Sequence, residues 1–304
     1  MRRTEPRKAF ALTLLSSFAL MGLVSCSADV EQSGSPDMSG PARVDAVDLS
    51  AGGATRAVIG QQLETFSMYS MTAMNRINGS MLSDGILFSK SEGTWTSNAP
   101  YYMDDRLKMN AYGVSPNVEY VSEPVFKWAG QSFSYENPTT EQPMLKVASK
   151  IGFTKAETNN QLTMGFNDIM YTLFFQAKNT LTIENAKVYI KGITVHNLPT
   201  KARFAFSGTV ESTGTWTLDE DNLYVNFSQE LDEPVELGAT LKDIMKDAFV
   251  LLPFVPTLWN PKTETLAEAD ANHHMYIEVK AQITQEVDKG NGMTKTVYLW
   301  GAKD

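Results

Sequence analysis

Between residues 275 and 284 every second side chain is apolar: Met275, Ile277, Val279, Ala281 and Ile283 alternate with Tyr276, Glu278, Lys280, Gln282 and Thr284. A period of two belongs to an extended chain, whose successive side chains point to opposite faces, and it predicts a strand with one face in a core and the other in water. Asp288-Lys289-Gly290-Asn291-Gly292 then reads as a hairpin loop, returning through Thr296 to Trp300.

The same signal, punctuated by turns, recurs through the chain. Ile86-Leu87-Phe88 leads into a turn at Ser91-Glu92-Gly93 and on to Trp95, and Leu107, Met109 and Ala111 face one way before Tyr112-Gly113. Phe126 and Trp128, then Phe133 and Tyr135, bracket a turn at Ala129-Gly130. Leu223, Val225 and Phe227 form one face of another strand, and the alternation of Val188 and Ile190 with Ile193 and Val195 slips at Gly192, which predicts a bulge. Helical spacing is confined to Leu241, Ile244, Met245, Ala248 and Phe249, with Thr240 as N-cap, Asp243 three residues on and Pro253 as the stop. Many short strands with one or two short helices predict an all-β chain, arranged as two tandem Greek-key β-sandwiches of transthyretin-like or Ig-like type. The polar break at Glu157-Thr158-Asn159-Asn160 divides the body into residues 57–158 and 159–304.

The N-terminus is of another kind. Arg2, Arg3, Arg7 and Lys8 outweigh Glu5, and residues 9–24 carry no charge. That run is too short to span a hydrocarbon core, which takes about 20 residues of helix, and has the length of a signal-peptide core. Leu23-Val24-Ser25-Cys26 follows and resembles a bacterial lipobox, in which the cysteine sulfur is acylated and the preceding bond is cut. Cys26 is the single cysteine of the chain, so it has no internal disulfide partner. Ser27 in the next position points to the outer membrane. Residues 27–56 hold no aromatic side chain and are rich in Ser, Gly, Ala and Asp, the composition of a flexible tether, with one short strand expected within Val44, Ala46, Val47 and Leu49. Gly52-Gly53-Ala54-Thr55-Arg56 reads as an exposed loop open to proteases.

Little in the chain points to chemistry. The net charge of −9 disfavours nucleic acid and anionic membrane surfaces. Cysteine nucleophiles are excluded, because the one cysteine is the anchor. His196 sits at a strand end, and His273 and His274 are adjacent, so alternation sends them to opposite faces and not to a shared metal. Asp219-Glu220-Asp221-Asn222 lacks the spacing of a calcium loop and reads as a solvated turn. Neither cofactor, metal site nor catalytic set is expected, and the chain is read as non-enzymatic. Trp95, Tyr101, Tyr102, Trp128 and Trp259 are candidates for sugar stacking, though such residues more often serve as core.

Four stretches resemble the fimbrillin family of Bacteroides-type bacteria, the lipoprotein precursors of type V pili. They are the lipobox and acidic tether ending in Ala54-Thr55-Arg56-Ala57, the run Leu107 to Pro116 with its Ala-Tyr-Gly turn, Gln142-Pro143-Met144-Leu145-Lys146-Val147-Ala148, and Leu162 to Phe166 with the later Phe249 to Pro253. Departures occur at Met144, where the family often has Asp, and at Asn167-Asp168, where it usually has His. The resemblance implies a precursor lipidated on Cys26 in the outer membrane, cut between Arg56 and Ala57 by an Arg-specific protease, and joined head to tail with other pilin subunits at the cell surface by strand addition, in adhesion. Arg56 argues against a permanent anchor subunit. Members of the family commonly continue past the Trp300-Gly301 region into one or two more strands, whereas this sequence stops at Asp304. The missing strand argues against a stalk subunit that must donate one, which leaves a tip-like or accessory one. The alternative is a permanently anchored surface lipoprotein that binds glycan or peptide ligands.

Overall fold

The computed structural model describes residues 38–50, 62–72, 85–116, 126–128, 132–140, 142–207, 214–290 and 292–300. The first half holds strands β1 (Arg43–Asp48), β2 (Thr65–Thr72), β3 (Ile86–Ser91), β4 (Thr94–Ser97), β5 (Met109–Ser115), β6 (Phe126–Trp128), β7 (Ser132–Glu136), β8 (Lys146–Phe153) and β9 (Gln161–Asp168), with helix α1 (Lys155–Thr158) before β9. The second half adds β10 (Tyr171–Leu173), β11 (Gln176–Ala177), β12 (Ala186–Pro199), β13 (Lys201–Phe206), β14 (Gly214–Leu218), β15 (Tyr224–Leu237), β16 (Lys242–Asp243), β17 (Phe249–Leu251), α2 (Leu266–Ala271), β18 (Tyr276–Asp288) and β19 (Thr294–Trp300). The all-β expectation with two short helices holds.

Seven strands make the first sheet, in the order β1-β9-β8-β5-β2-β3-β4. Its ladders are antiparallel except that of β1, which runs parallel to β9 with Val44 beside Leu162 and Ala46 beside Met164. The sheet curls on itself, so that Trp95 Nε1 on β4 donates to the carbonyl of Ala46 on β1 at 3.2 Å. Inside the curl Phe66 stacks on Phe88 at 4.7 Å and tilts against Phe166 at 5.0 Å. Every residue of β5 is buried, because the strand has a core on each side. Met109 and Ala111 face the inside of the curl, whereas Tyr112 and Val114 join Phe133, Phe204 and Val250 in a second core. At Gly113 an added Cβ would lie 2.7 Å from Cζ of Phe166, so the ring packs where a side chain would otherwise stand.

A four-stranded sheet, β14-β13-β7-β6, covers that second core, with Phe133, Phe204 and Trp216 in mutual ring contact. The sheet β15-β12-β18-β19 carries a third core of Ile193, Val195, Phe227, Ile244 and Phe249, over which lie the two-stranded pairs β10-β17 and β11-β16. The expected slip at Gly192 is a register shift in both ladders of β12. The polar break at 157–160 is the end of α1 and its C-cap Asn159, whose backbone N–H donates to Ala156; at the start of the helix Thr154 accepts from the N–H of Glu157 and Glu157 accepts from Thr154. After it β9 enters the first sheet and β13 pairs with β7, so ladders run across residue 158.

Three expectations are corrected. No helix forms over 240–249. Gln229 accepts from the backbone N–H groups of Lys246 and Asp247 at 3.0 and 3.4 Å, and Ile244 N–H donates to Phe175, so tertiary partners take the bonds that a helix would use. Ile244, Met245 and Phe249 are buried as expected, but from an irregular segment. Leu107 and Leu223 lie outside β5 and β15 and are exposed; Asp104 caps the N–H groups of Arg106 and Leu107 and turns the chain there. The face of β18 expected in a core is only half covered. Ile277 and Val279 sit beside the buried Val195 and Ile193 but are themselves 45% and 37% exposed. The reason is topological: β19 pairs with Ile283–Asp288, and among the described residues no strand covers that side of 276–281.

Gly113→Ala is expected to destabilise the protein by about 1–3 kcal/mol through overpacking against Phe166, measured as a lowered urea midpoint with unchanged slope. Thr265→Ala removes only the cap of α2 and is expected to cost about 1 kcal/mol.

Candidate functional site

Cys26, Arg56 and Ala57 lie outside the described residues. What the structure describes is the strand between them and how it is held. β1 presents Val44 and Ala46 to the core, with Ala42 before them packed against the same cluster. Arg43, Asp45 and Val47 take the other face. The slipping alternation of the sequence is thereby resolved: Val44 and Ala46 set the inward phase, and Val47 and Leu49 are outward and half exposed.

Backbone bonds hold both ends of the strand. Ala42 N–H donates to Tyr101 at 2.7 Å, Arg43 N–H to Asn160 at 3.0 Å and Leu49 N–H to Phe166 at 2.8 Å. Asn160 Nδ2 reaches back to the carbonyl of Gly40 at 3.1 Å, and Gln161 Nε2 donates to Asp45 at 2.9 Å. Leu49 lies on bare backbone at Gly165, where an added Cβ would come within 2.6 Å of its Cδ1.

The inward row ends in charge. Next after Ala46 comes Asp48, which meets Lys146, the first residue of β8. The Lys146 ammonium lies 2.7 Å from Asp168 Oδ1, 3.1 Å from Asp48 Oδ2 and 3.0 Å from Ser50 Oγ. Its side chain is only 8% exposed, whereas those of Asp48 and Asp168 keep contact with water at 24% and 38%. Ser50 also donates to Asp48 through Oγ at 2.7 Å and through its backbone N–H at 3.0 Å. Burial alone would raise the Asp48 carboxyl, but the bonds from Ser50 and Lys146 outweigh it and hold it below its ordinary 3.8.

The other candidate residues are engaged within the fold. His196 Nε2 lies 2.9 Å from Glu278 and its ring stacks on Tyr276 at 4.2 Å. His273 and His274 fall in the turn after α2 and not in a strand. Even so they diverge: His273 stacks on Tyr224 at 4.2 Å, and His274 Nδ1 meets Glu264 at 2.7 Å. No group of three His, Cys, Asp or Glu with metal-binding geometry occurs among the described residues. A shallow cleft of about 300 Å³ is lined by Asn260, Glu264, Glu268, Asn272 and His274. Its acids are committed internally, Glu264 to Asn272 and His274, and Glu268 to Thr265. Asp219–Asn222 is a turn in which Asn222 accepts from the N–H groups of Thr200 and Lys201. Of the aromatic candidates, Tyr101 is buried and bonded to Ser70, Trp95 is tied to β1, Trp259 donates to Glu264, and Tyr102 is exposed. The side chain of Trp128 lies outside the described residues.

No family model and no curated protein matches the chain. Among solved structures it is similar to a fimbrial protein from Bacteroides vulgatus, at 13% identity over 85% of this chain and 88% of that one, with a TM-score of 0.59. Candidate cell adhesion proteins from Bacteroides ovatus and Bacteroides uniformis align over 85% of this chain and 85% and 84% of theirs, at 12% and 13% identity and TM-scores of 0.41. The first likeness is one of fold: the β-sandwich architecture of the chain is that of a Bacteroides fimbrial protein, in accord with the fimbrillin resemblance read from the residues.

Two outcomes are expected from the charged end of β1. Asp48→Asn should cost about 1–2 kcal/mol, less than a fully buried pair because water reaches the carboxylate. The loss should appear as faster amide exchange in Arg43–Asp48 with β12 and β15 unchanged. A carboxyl lowered by folding contributes stability that is complete above its unfolded value and is lost as the pH falls through its folded value. Protection of β1 should therefore persist from neutral pH down to 3.8 and fall only below it.

Proposed function

We propose that the chain is a structural, non-catalytic subunit of cell-surface fimbriae, tip-like or accessory in position, acting in adhesion. In this reading it is exported as a lipoprotein, acylated on Cys26, held at the outer membrane, and matured by cleavage between Arg56 and Ala57. Other pilin subunits then join it by strand addition.

The observation that carries the reading is the position of β1. It lies on the N-terminal side of Arg56, in the segment that cleavage would detach, and it is the end strand of the first sheet. Loss of that segment would uncover Leu162 and Met164 and the hydrogen-bonding edge of β9. An open edge beside an apolar groove is a template for a strand of another chain. A contact in which one subunit's strand fills the next subunit's groove does not close on itself, and so builds a filament. The fold likeness to a fimbrial protein supports the same reading and suggests a cell-surface location. The alternative, an anchored lipoprotein that binds glycans through a face of aromatic side chains, gains no support from the candidate aromatics, which are largely committed to internal contacts.

Dilute trypsin on the purified protein is expected to give one early cut with Ala57 as the new N-terminus, followed by ladders of associated subunits in gels. Arg56→Gln should block both. Many cuts on a protein that stays monomeric would sink the assembly reading. Separately, Cys26→Ala in cells given labelled palmitate should abolish both the label and membrane retention.

A further inference from the structure

We propose that Lys146 selects the incoming strand, admitting one that carries a carboxylate at the place of Asp48; this rests on the strand-addition reading above. An ammonium has three N–H donors. Those of Lys146 are spent on Asp168, Asp48 and Ser50, at 2.7, 3.1 and 3.0 Å. Two of these three partners stand on the segment N-terminal to Arg56, and only Asp168 belongs to the body. With β1 in place the side chain is 8% exposed, so a strand seated in the same groove covers the ammonium again and must itself supply what water then cannot. Removal of β1 thus empties an apolar groove and also takes two of the three hydrogen-bond partners from a cation that a new strand would bury again.

A replacement strand must meet both demands. Along the groove it needs small apolar side chains where Val44 and Ala46 lie beside Leu162 and Met164. At the Lys146 end it needs an acceptor, best a carboxylate. A neutral residue leaves donors unmet, and a Lys or Arg brings two cations together in a poorly hydrated place. The groove alone is permissive, since many alternating strands fit it. The cation adds a rejection term, which is how interfaces discriminate among partners of similar apolar content.

The test uses the full chain with a site-specific protease sequence in place of residues 52–56, cut after folding. Labelled peptides spanning residues 41–50 are added in three forms, with Asp48 kept or with Asp48→Asn or Asp48→Lys, and binding is followed by fluorescence anisotropy. The Asp peptide should bind, the Asn form should be weaker by roughly tenfold, and the Lys form weaker still, because each leaves the ammonium without its carboxylate. In a Lys146→Met chain the preference for Asp over Asn should vanish; should that chain not fold, the ranking of the three peptides on natural Lys146 decides alone. Equal binding of all three would overturn the selection by Lys146 and leave strand addition standing. Binding of none would overturn strand addition, and the selection with it.

Discussion

The first sheet depends on the ladder between β1 and β9. That ladder has six paired positions, from Arg43 beside Gln161 to Asp48 beside Phe166, whereas β9 and β8 pair at Lys146–Asp168 and Val147–Asn167. A strand held at one end by its neighbour in sequence is positioned along the rest of its length by β1. Leu162, Met164 and Phe166 are buried from β9, and Phe166 in turn rests on Phe66 and on the bare backbone of Gly113. A short strand at the end of the sheet therefore governs the side chains at its centre.

The charged end of β1 sets its register. Sliding the strand by one residue would turn Arg43 and Asp45 toward the core and move Asp48 away from Lys146, exchanging an apolar row for charges without partners. An ion pair this close to the interior need not add much net stability, since desolvation offsets most of its attraction. Its effect is discrimination between registers, and the leftover exposure of Asp48 and Asp168 keeps the desolvation small.

Much of the fold was legible in the sequence because strand signals were strong where burial is one-sided. The bulge at Gly192 and the hairpin at Asp288–Gly292 follow from local pattern alone. The segment 240–249 was misread because its apolar spacing matches a helix while its backbone partners, Gln229 and Phe175, are distant in sequence. The helices that do form were marked by Thr154 with Glu157 and Thr265 with Glu268, capping boxes visible in the sequence. The exposed apolar edge of β18 had no local signature, since alternation reports which residues share a face and not whether another layer covers it. Lys146 was equally silent: a lysine opening a strand looks solvent-facing until the fold brings Asp48 and Asp168 around it.

The curl of the sheet adds a consequence through Trp95. Its indole donates to the carbonyl of Ala46, so β4 touches the end strand β1 across the seam through a side chain. Whatever withdraws β1 uncovers the edge of β9 and at the same time removes the bond from Trp95 at the seam of the sheet. Such a species carries an open template for indiscriminate pairing. If subunits add by strand exchange, as proposed above, its lifetime and not only its final affinity for a partner decides between ordered growth and clumping. In that reading, cutting and capping would have to be matched in time.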